Sequence, residues 1–371
     1  MHYFDYAATT PLAPVAREAL LSQLDIHWHN PSAQYPMGLA NRKALEQYRE
    51  TIARAVGCKA EEFHFTSGGT ESNNWAIFQG ASLGRQQGNH LITSSLEHHS
   101  VLESFNVLES QGKKVTYLSP DDKGEITLEN VLSAIQEDTA FISLMAVNNE
   151  TGIQTAVNQI ARGVKARFPR ILIHSDGVQG FLKSPLSTDG LDFLSVSGHK
   201  LFAPVGVGGL YVRSTAKIKP LLYGGGQEGG LRSGTEPLPQ IAAFASVIDG
   251  WEERLGKTME TKGKVIHALS AVEGVKLCFS DAPTASHIIP ISLVGYASEV
   301  VLRFLGEHKI YLSAGSACHR GGKSHVYEKM PLSSSERFGI LRISISHLTT
   351  EENISALVNG LNLARDNLCF F

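Results

Sequence analysis

The chain has 371 residues, 42% of them hydrophobic and 19% charged, with a formal net charge of −3 at pH 7. That length exceeds one ordinary core and predicts two domains, and so small a net charge excludes an electrostatic partner such as nucleic acid or a lipid surface. No basic and apolar leader follows Met1, and no apolar run approaches the roughly 20 residues that span a bilayer.

From the N-terminus, apolar strand-like runs at 62–66, 90–94, 114–118, 140–146, 171–176, 193–197 and 208–212 alternate with amphipathic stretches near 70–86, 97–111, 127–135 and 155–168. This alternation predicts an α/β layer on a mainly parallel sheet, with functional groups at the carboxyl ends of its strands. Past the glycine cluster 224–230 the character changes. A long helical segment near 237–271 leads to a strand at 287–293, a helix near 297–307, a strand at 341–345 and a last helix over 350–365. The boundary between the two parts is expected near residue 245. The four cysteines (Cys58, Cys278, Cys318 and Cys369) are widely spaced and form no CxxC pair, so reduced thiols in a cytoplasmic chain are expected. The histidines lack the spacing and sulfur partners of a zinc site, so no metal is expected.

Six segments carry chemistry. Lys200, in Ser197-Gly198-His199-Lys200, follows Asp176, which closes the run 171–176. An amine and an upstream carboxylate are what pyridoxal phosphate needs, one for its aldehyde and one for its pyridine nitrogen. Phe65-Thr66-Ser67-Gly68-Gly69-Thr70 ends a strand and opens a helix, which makes either an anion site or a plain capped turn. His98, in Glu97-His98-His99, suits ring stacking or proton transfer, or else caps a helix. Asn149, in Asn148-Asn149-Glu150, and Gln179 offer amides to a ligand. In Gly315-Ser316-Ala317-Cys318-His319-Arg320 the neighbouring positive charge would favour a thiolate, and a chance surface thiol is the alternative. Arg342, inside the apolar run 341–345, needs an anion, which is either a ligand carboxylate or an internal ion pair.

Together these segments resemble the cysteine desulfurases of the NifS/IscS type, within the class V aminotransferase family. The likeness starts at Phe4-Asp5-Tyr6-Ala7-Ala8-Thr9-Thr10-Pro11 and runs through Thr66–Asn74, Glu97-His98, Val147–Gly152, Asp176–Gln179, Ser197–Lys200, Arg232-Ser233-Gly234-Thr235, Ser313–Cys318 and Arg342. It implies the fold-type I architecture of pyridoxal-phosphate enzymes. A large domain (15–245) would carry a mainly parallel seven-stranded sheet, and 1–14 with 246–371 would form a smaller α+β domain. It further implies a homodimer with L-cysteine as substrate and sulfur passed to a protein acceptor, for iron–sulfur clusters or for thio-cofactors and tRNA thiolation.

Residue by residue, the resemblance makes Lys200 the Schiff-base lysine, Asp176 the pyridinium partner and His98 the stacking and catalytic histidine. Gly69, Thr70, Ser197 and His199 would form the phosphate cup, and Thr235 would reach the cofactor of the partner subunit. Gln179 and Asn149 would contact cofactor or substrate, Arg342 would anchor the substrate carboxylate, and Cys318 would accept sulfur as a persulfide. Gly69 departs from the alanine common in the family. The end at Phe371, without a longer tail, argues for a dedicated acceptor rather than a general scaffold. Selenocysteine lyase, cysteine-sulfinate desulfinase and a plain aminotransferase are the alternatives within this cofactor class. A dinucleotide- or NTP-binding protein is disfavoured, because neither glycine cluster makes GxGxxG or GxxxxGK[ST] in its required context.

Overall fold

The computed structural model describes residues 1–84, 88–314 and 324–370. In chain order the elements are β1 (His2–Tyr3), α1 (Pro14–Asp25), α2 (Pro36–Val56), β2 (Phe63–Thr66), α3 (Gly69–Leu83), β3 (His90–Ser94), α4 (His99–Ser110), β4 (Lys114–Leu118), α5 (Leu128–Ala134), β5 (Thr139–Met145) and α6 (Val157–Arg167). They continue with β6 (Leu172–Asp176), β7 (Phe193–Ser197), β8 (Gly208–Val212), α7 (Leu238–Ser246), α8 (Trp251–Leu269), β9 (Val275–Leu277), β10 (Ile288–Leu293) and α9 (Ser298–Glu307). The last are β11 (Ile310–Tyr311), α10 (His325–Lys329), α11 (Ser334–Phe338), β12 (Ile340–Ser344) and α12 (Glu351–Asn367).

Seven strands form one sheet in the order β2-β8-β7-β6-β5-β3-β4. Only β8 runs against the rest, pairing antiparallel with both β2 and β7. The strands β3, β5, β6 and β7 are buried at every position except Leu172, as expected of a parallel sheet covered on both faces. Because β2 and the five strands β3 to β7 share one direction, their carboxyl ends fall on one edge. That edge carries Thr66, Ser94, Met145, Asp176 and Ser197. Helix α3 packs close on the sheet, and at Gly80 a Cβ would stand 2.1 Å from the Phe141 ring. This close approach sets where the first turn of α3 meets the strand ends.

A second, antiparallel sheet has the order β12-β10-β9, and β1 pairs in parallel with β11. Phe4 packs there with Ile289, Ile291, Leu341, Ile343, Leu357 and Leu361 in a separate apolar core. The segment 237–271 is not one helix. It breaks between α7 and α8, where Gly250 takes φ +69, a conformation that glycine adopts without steric penalty. The helices α1 and α2 were not foreseen; each starts on a proline at its first position and has no side-chain cap. Among the described residues no helix is long and apolar enough to cross a membrane.

Candidate active site

The carboxyl edge of the large sheet opens into a cavity of about 310 Å³. Gly69 and Thr70 enter it from the first turn of α3, His98 from the turn after β3, Asn149 from the turn after β5, Asp176 and Gln179 from the end of β6, and Ser197, His199 and Lys200 from the end of β7. Arg342 reaches the same space from β12 of the smaller sheet. Residues separated by up to 335 positions, Ala7 to Arg342, are thus brought together by the topology.

Asp176 is buried, and both of its oxygens are held. Val178 N–H donates to Oδ1 at 2.9 Å, and Asn73 Nδ2 donates to Oδ2 at 2.7 Å. The same Asn73 amide donates to Ser100 Oγ at 2.9 Å, and Ser100 Oγ lies 2.9 Å from His98 Nδ1. His98 also accepts Ser100 N–H at 3.1 Å and so caps α4, which places it both at the cap and in the cavity wall. Because Nδ1 accepts, the neutral ring carries its proton on Nε2. Burial lowers the His98 pKa and outweighs the opposing charge of Asp176, so the ring is neutral at pH 7. Asn73 is a site residue that the sequence reading passed over. Its place four residues after Gly69, one turn into α3, was the available signal.

Lys200 Nζ donates to the backbone oxygens of Ala7 at 2.8 Å and Ala8 at 2.5 Å. Its neighbour His199 lies 3.2 Å from Thr9 Oγ1, and burial, helped by the charges of Lys200 and Lys183, depresses its pKa to about 4. Arg342 realises the internal ion pair. Nη2 meets Asp5 Oδ1 at 2.6 Å and Nη1 donates to Asn149 O at 2.7 Å, while the buried Nε has no partner among the described residues. The guanidinium is therefore held in place through both Nη atoms, with Nε left without a protein partner among the described residues. Glu97 lies beneath the His98 turn, and burial pushes its carboxyl up to about 8.

Two expected residues remain. Thr235 is exposed and does not line the cavity, and Cys318 lies outside the described residues.

The donor set fits pyridoxal phosphate. Ser197 Oγ is buried without a hydrogen-bond partner among the described residues, facing Gly68 and Gly69 at the N-terminus of the 15-residue helix α3. There the free N–H groups and the helix dipole favour an anion. Gly68 takes φ +152, which a side chain would strain. Val178 Cγ2 stands 2.5 Å from where a Gly69 Cβ would lie. The departure at Gly69 is thus matched by the bulk of Val178.

The aminotransferase class-V family model matches residues 2–357. The chain belongs to the class V aminotransferase family. It is 34% identical over 372 aligned residues to the cysteine desulfurase IscS of Clostridium botulinum, covering 97% of this chain and 93% of that one. A solved structure of a NifS-like protein superposes with a TM-score of 0.92 at 30% identity, covering 99% of this chain and 100% of that one. SspA, solved in complex with cysteine, gives a TM-score of 0.83 at 34% identity over 94% of this chain and 100% of that one. The α/β fold of this class V member is therefore that of the NifS-like enzymes.

Proposed function

We propose that the chain is a pyridoxal-phosphate-dependent cysteine desulfurase that converts L-cysteine to L-alanine and takes the sulfur onto Cys318. The observation that carries this reading is the convergence of Lys200, Asp176, His98 and Arg342 on one cavity in a chain 34% identical to a cysteine desulfurase. Gly69, Thr70, Ser197 and His199 would hold the phosphate, Asp176 the protonated pyridine nitrogen, His98 the ring face and Lys200 the aldehyde carbon. When bound, the cofactor supplies an electron sink for charge developing at the substrate Cα.

The protein's own groups do the rest. Arg342, oriented by Asp5 and Asn149 O, offers Nε to the substrate carboxylate. Asn149 lines the same wall. Lys200 Nζ takes the Cα proton, and the Ala7 and Ala8 carbonyls hold the amine whenever it is free of the cofactor. Cys318 Sγ attacks the substrate sulfur as thiolate, the Cβ–S bond breaks, and Cys318 leaves the step as a persulfide for a protein acceptor.

A homodimer belongs to the same proposal. Trp28, Tyr35, Met37 and Leu39 around the start of α2 are exposed, as is Tyr223 beside the glycine cluster, and so large an apolar surface suits a second copy. Thr235, exposed beside it, would then reach the partner's cavity. We also propose the division into 15–245 and 1–14 with 246–371, supported by the separate core in which Phe4 packs with residues 265–364. The deciding assay is alanine formation from L-cysteine by pyridoxal-loaded protein with a reductant, wild type against Cys318→Ala. Alanine from wild type alone is expected. Equal activity of both on selenocysteine or cysteine sulfinate, with cysteine untouched, would overturn the persulfide step.

A further inference from the structure

On the far side of Lys200 from the main cavity, a space of about 20 Å³ is lined by Lys200, Lys183, His287, Tyr6, Trp251 and His347, among others. Lys183 and His287 are both buried, and both point at Gln179. Lys183 Nζ donates to Gln179 Oε1 at 3.3 Å, and His287 Nε2 lies 3.0 Å from the same oxygen. A carboxamide oxygen only accepts, so His287 is the Nε2–H tautomer. Its Nδ1 is then a buried acceptor with no partner among the described residues. At the other end, Gln179 Nε2 donates to Ala7 O at 2.8 Å, the carbonyl that also takes Lys200 Nζ.

These contacts fix which end of the amide faces where. A flipped Gln179 would set its oxygen against the Ala7 carbonyl oxygen and its NH₂ against the Lys183 ammonium, two repulsive contacts in place of two favourable ones. His287 could follow such a flip only by moving its proton from Nε2 to Nδ1. Gln179 therefore has only N–H left to offer to the cavity it lines. We infer that Lys183 and His287 are positioning residues that lock the Gln179 carboxamide as a hydrogen-bond donor to an anionic oxygen of the bound ligand. The inference rests on the pyridoxal-phosphate reading, in which that oxygen is the ring phenolate beside Lys200.

The lock holds across the working pH range. Burial, with Lys200 adding to it, brings the Lys183 amine down to about 7, but amine and ammonium both donate. Burial also holds His287 well below its ordinary range, and the charges of Lys183, Lys262, Arg342 and Lys200 push it the same way, so it stays the neutral donor.

The test compares wild type with Lys183→Met, His287→Asn, which is too short to reach Gln179, and His287→Gln, which restores a donor at about the original reach. Each protein is titrated with pyridoxal phosphate for Kd, and the visible band of the loaded protein is followed against pH. In Lys183→Met and His287→Asn, Kd should rise about tenfold, the effect of one lost hydrogen bond. The pH midpoint of the band should also rise, because the phenolate loses a donor. The midpoint reads the ligand's own ionisation, which a merely structural defect would leave in place. His287→Gln should lie close to wild type. If Lys183→Met does not fold, the two histidine variants decide alone. Unchanged Kd and midpoint in folded His287→Asn would overturn the inference. A wild type that develops no visible band would instead sink the cofactor reading.

Discussion

Arg49 and Glu228 form a buried, bidentate pair, with Nη1–Oε2 at 2.7 Å and Nη2–Oε1 at 2.8 Å. Their side chains are 8% and 2% exposed. Glu228 Oε2 also takes the Phe65 N–H at 2.8 Å, and Arg49 donates to Phe63 O at 3.0 Å and lies over the Phe65 ring. The pair thus clamps the glycine cluster to β2, just before the turn that opens α3. It also holds Glu228 at φ +51, where a residue with a side chain is strained. Glu228→Gln keeps an acceptor for Phe65 but leaves the buried guanidinium only the half-exposed Glu46, 3.1 Å from Nε, as counter-charge, and Arg49→Met strands the carboxylate. Each should cost about 3–5 kcal/mol, Glu228→Gln at the low end. At about 2.1 cal/mol/K per residue, 371 residues give an unfolding entropy near 0.8 kcal/mol/K, so either change lowers Tm by roughly 4–6 °C. The double variant removes both charges and leaves the Phe65 N–H an acceptor. Its cost should fall short of the sum of the singles by about 3 kcal/mol. Urea denaturation of all four proteins closes the cycle. Additivity within about 0.5 kcal/mol, or a cost under about 1 kcal/mol for Glu228→Gln, would refute the argument.

Three further outcomes are expected. Asn73→Ala takes a donor from Asp176 and from Ser100, so pyridoxal phosphate Kd should rise at least tenfold, one charge-assisted hydrogen bond's effect; an unchanged titration would contradict the assignment of Asp176. Gly69→Ala should weaken cofactor binding by overpacking against Val178, and adding Val178→Ala should restore it; a double variant as weak as the single would show that the two side chains do not compete. The pKa values of His174 and His64 are depressed by burial to about 3 and about 4. Between those values and the unfolded value near 6.5 the unfolded chain binds more protons, so stability falls as pH drops from about 6.5 toward 4, by up to about 1.4 kcal/mol per pH unit for each histidine. Urea unfolding at pH 7, 6 and 5 reads this slope, which His174→Gln should make shallower.

The strands β3, β5, β6, β7 and β8 were legible because they are buried on both faces and read as largely apolar runs. The site residues were legible because they follow those runs at polar turns. Lys200, Asp176, His98 and Gly69 stand where that logic puts them. Other features depend on tertiary contacts that no local pattern encodes. Asn73 resembles any polar residue one turn into a helix until Asp176 is brought against it. The partner of Arg342 is Asp5, 337 positions away, so spacing could not decide between a ligand anchor and an ion pair. The geometry shows an ion pair that leaves Nε without a protein partner among the described residues. Lys183 and His287 were passed over for the same reason, since neither lies in a glycine-rich turn or at a strand end of the large sheet.

The stretch from Asp5 to Ala8 supplies the carbonyls that grip Lys200 and the carboxylate that orients Arg342. Asp5 and Arg342 lie 337 positions apart in the chain. This corner of the pocket therefore closes only when the strand that carries Arg342 has joined the smaller sheet. Displacing the stretch from Asp5 to Ala8 would act on the candidate site as directly as a substitution within it.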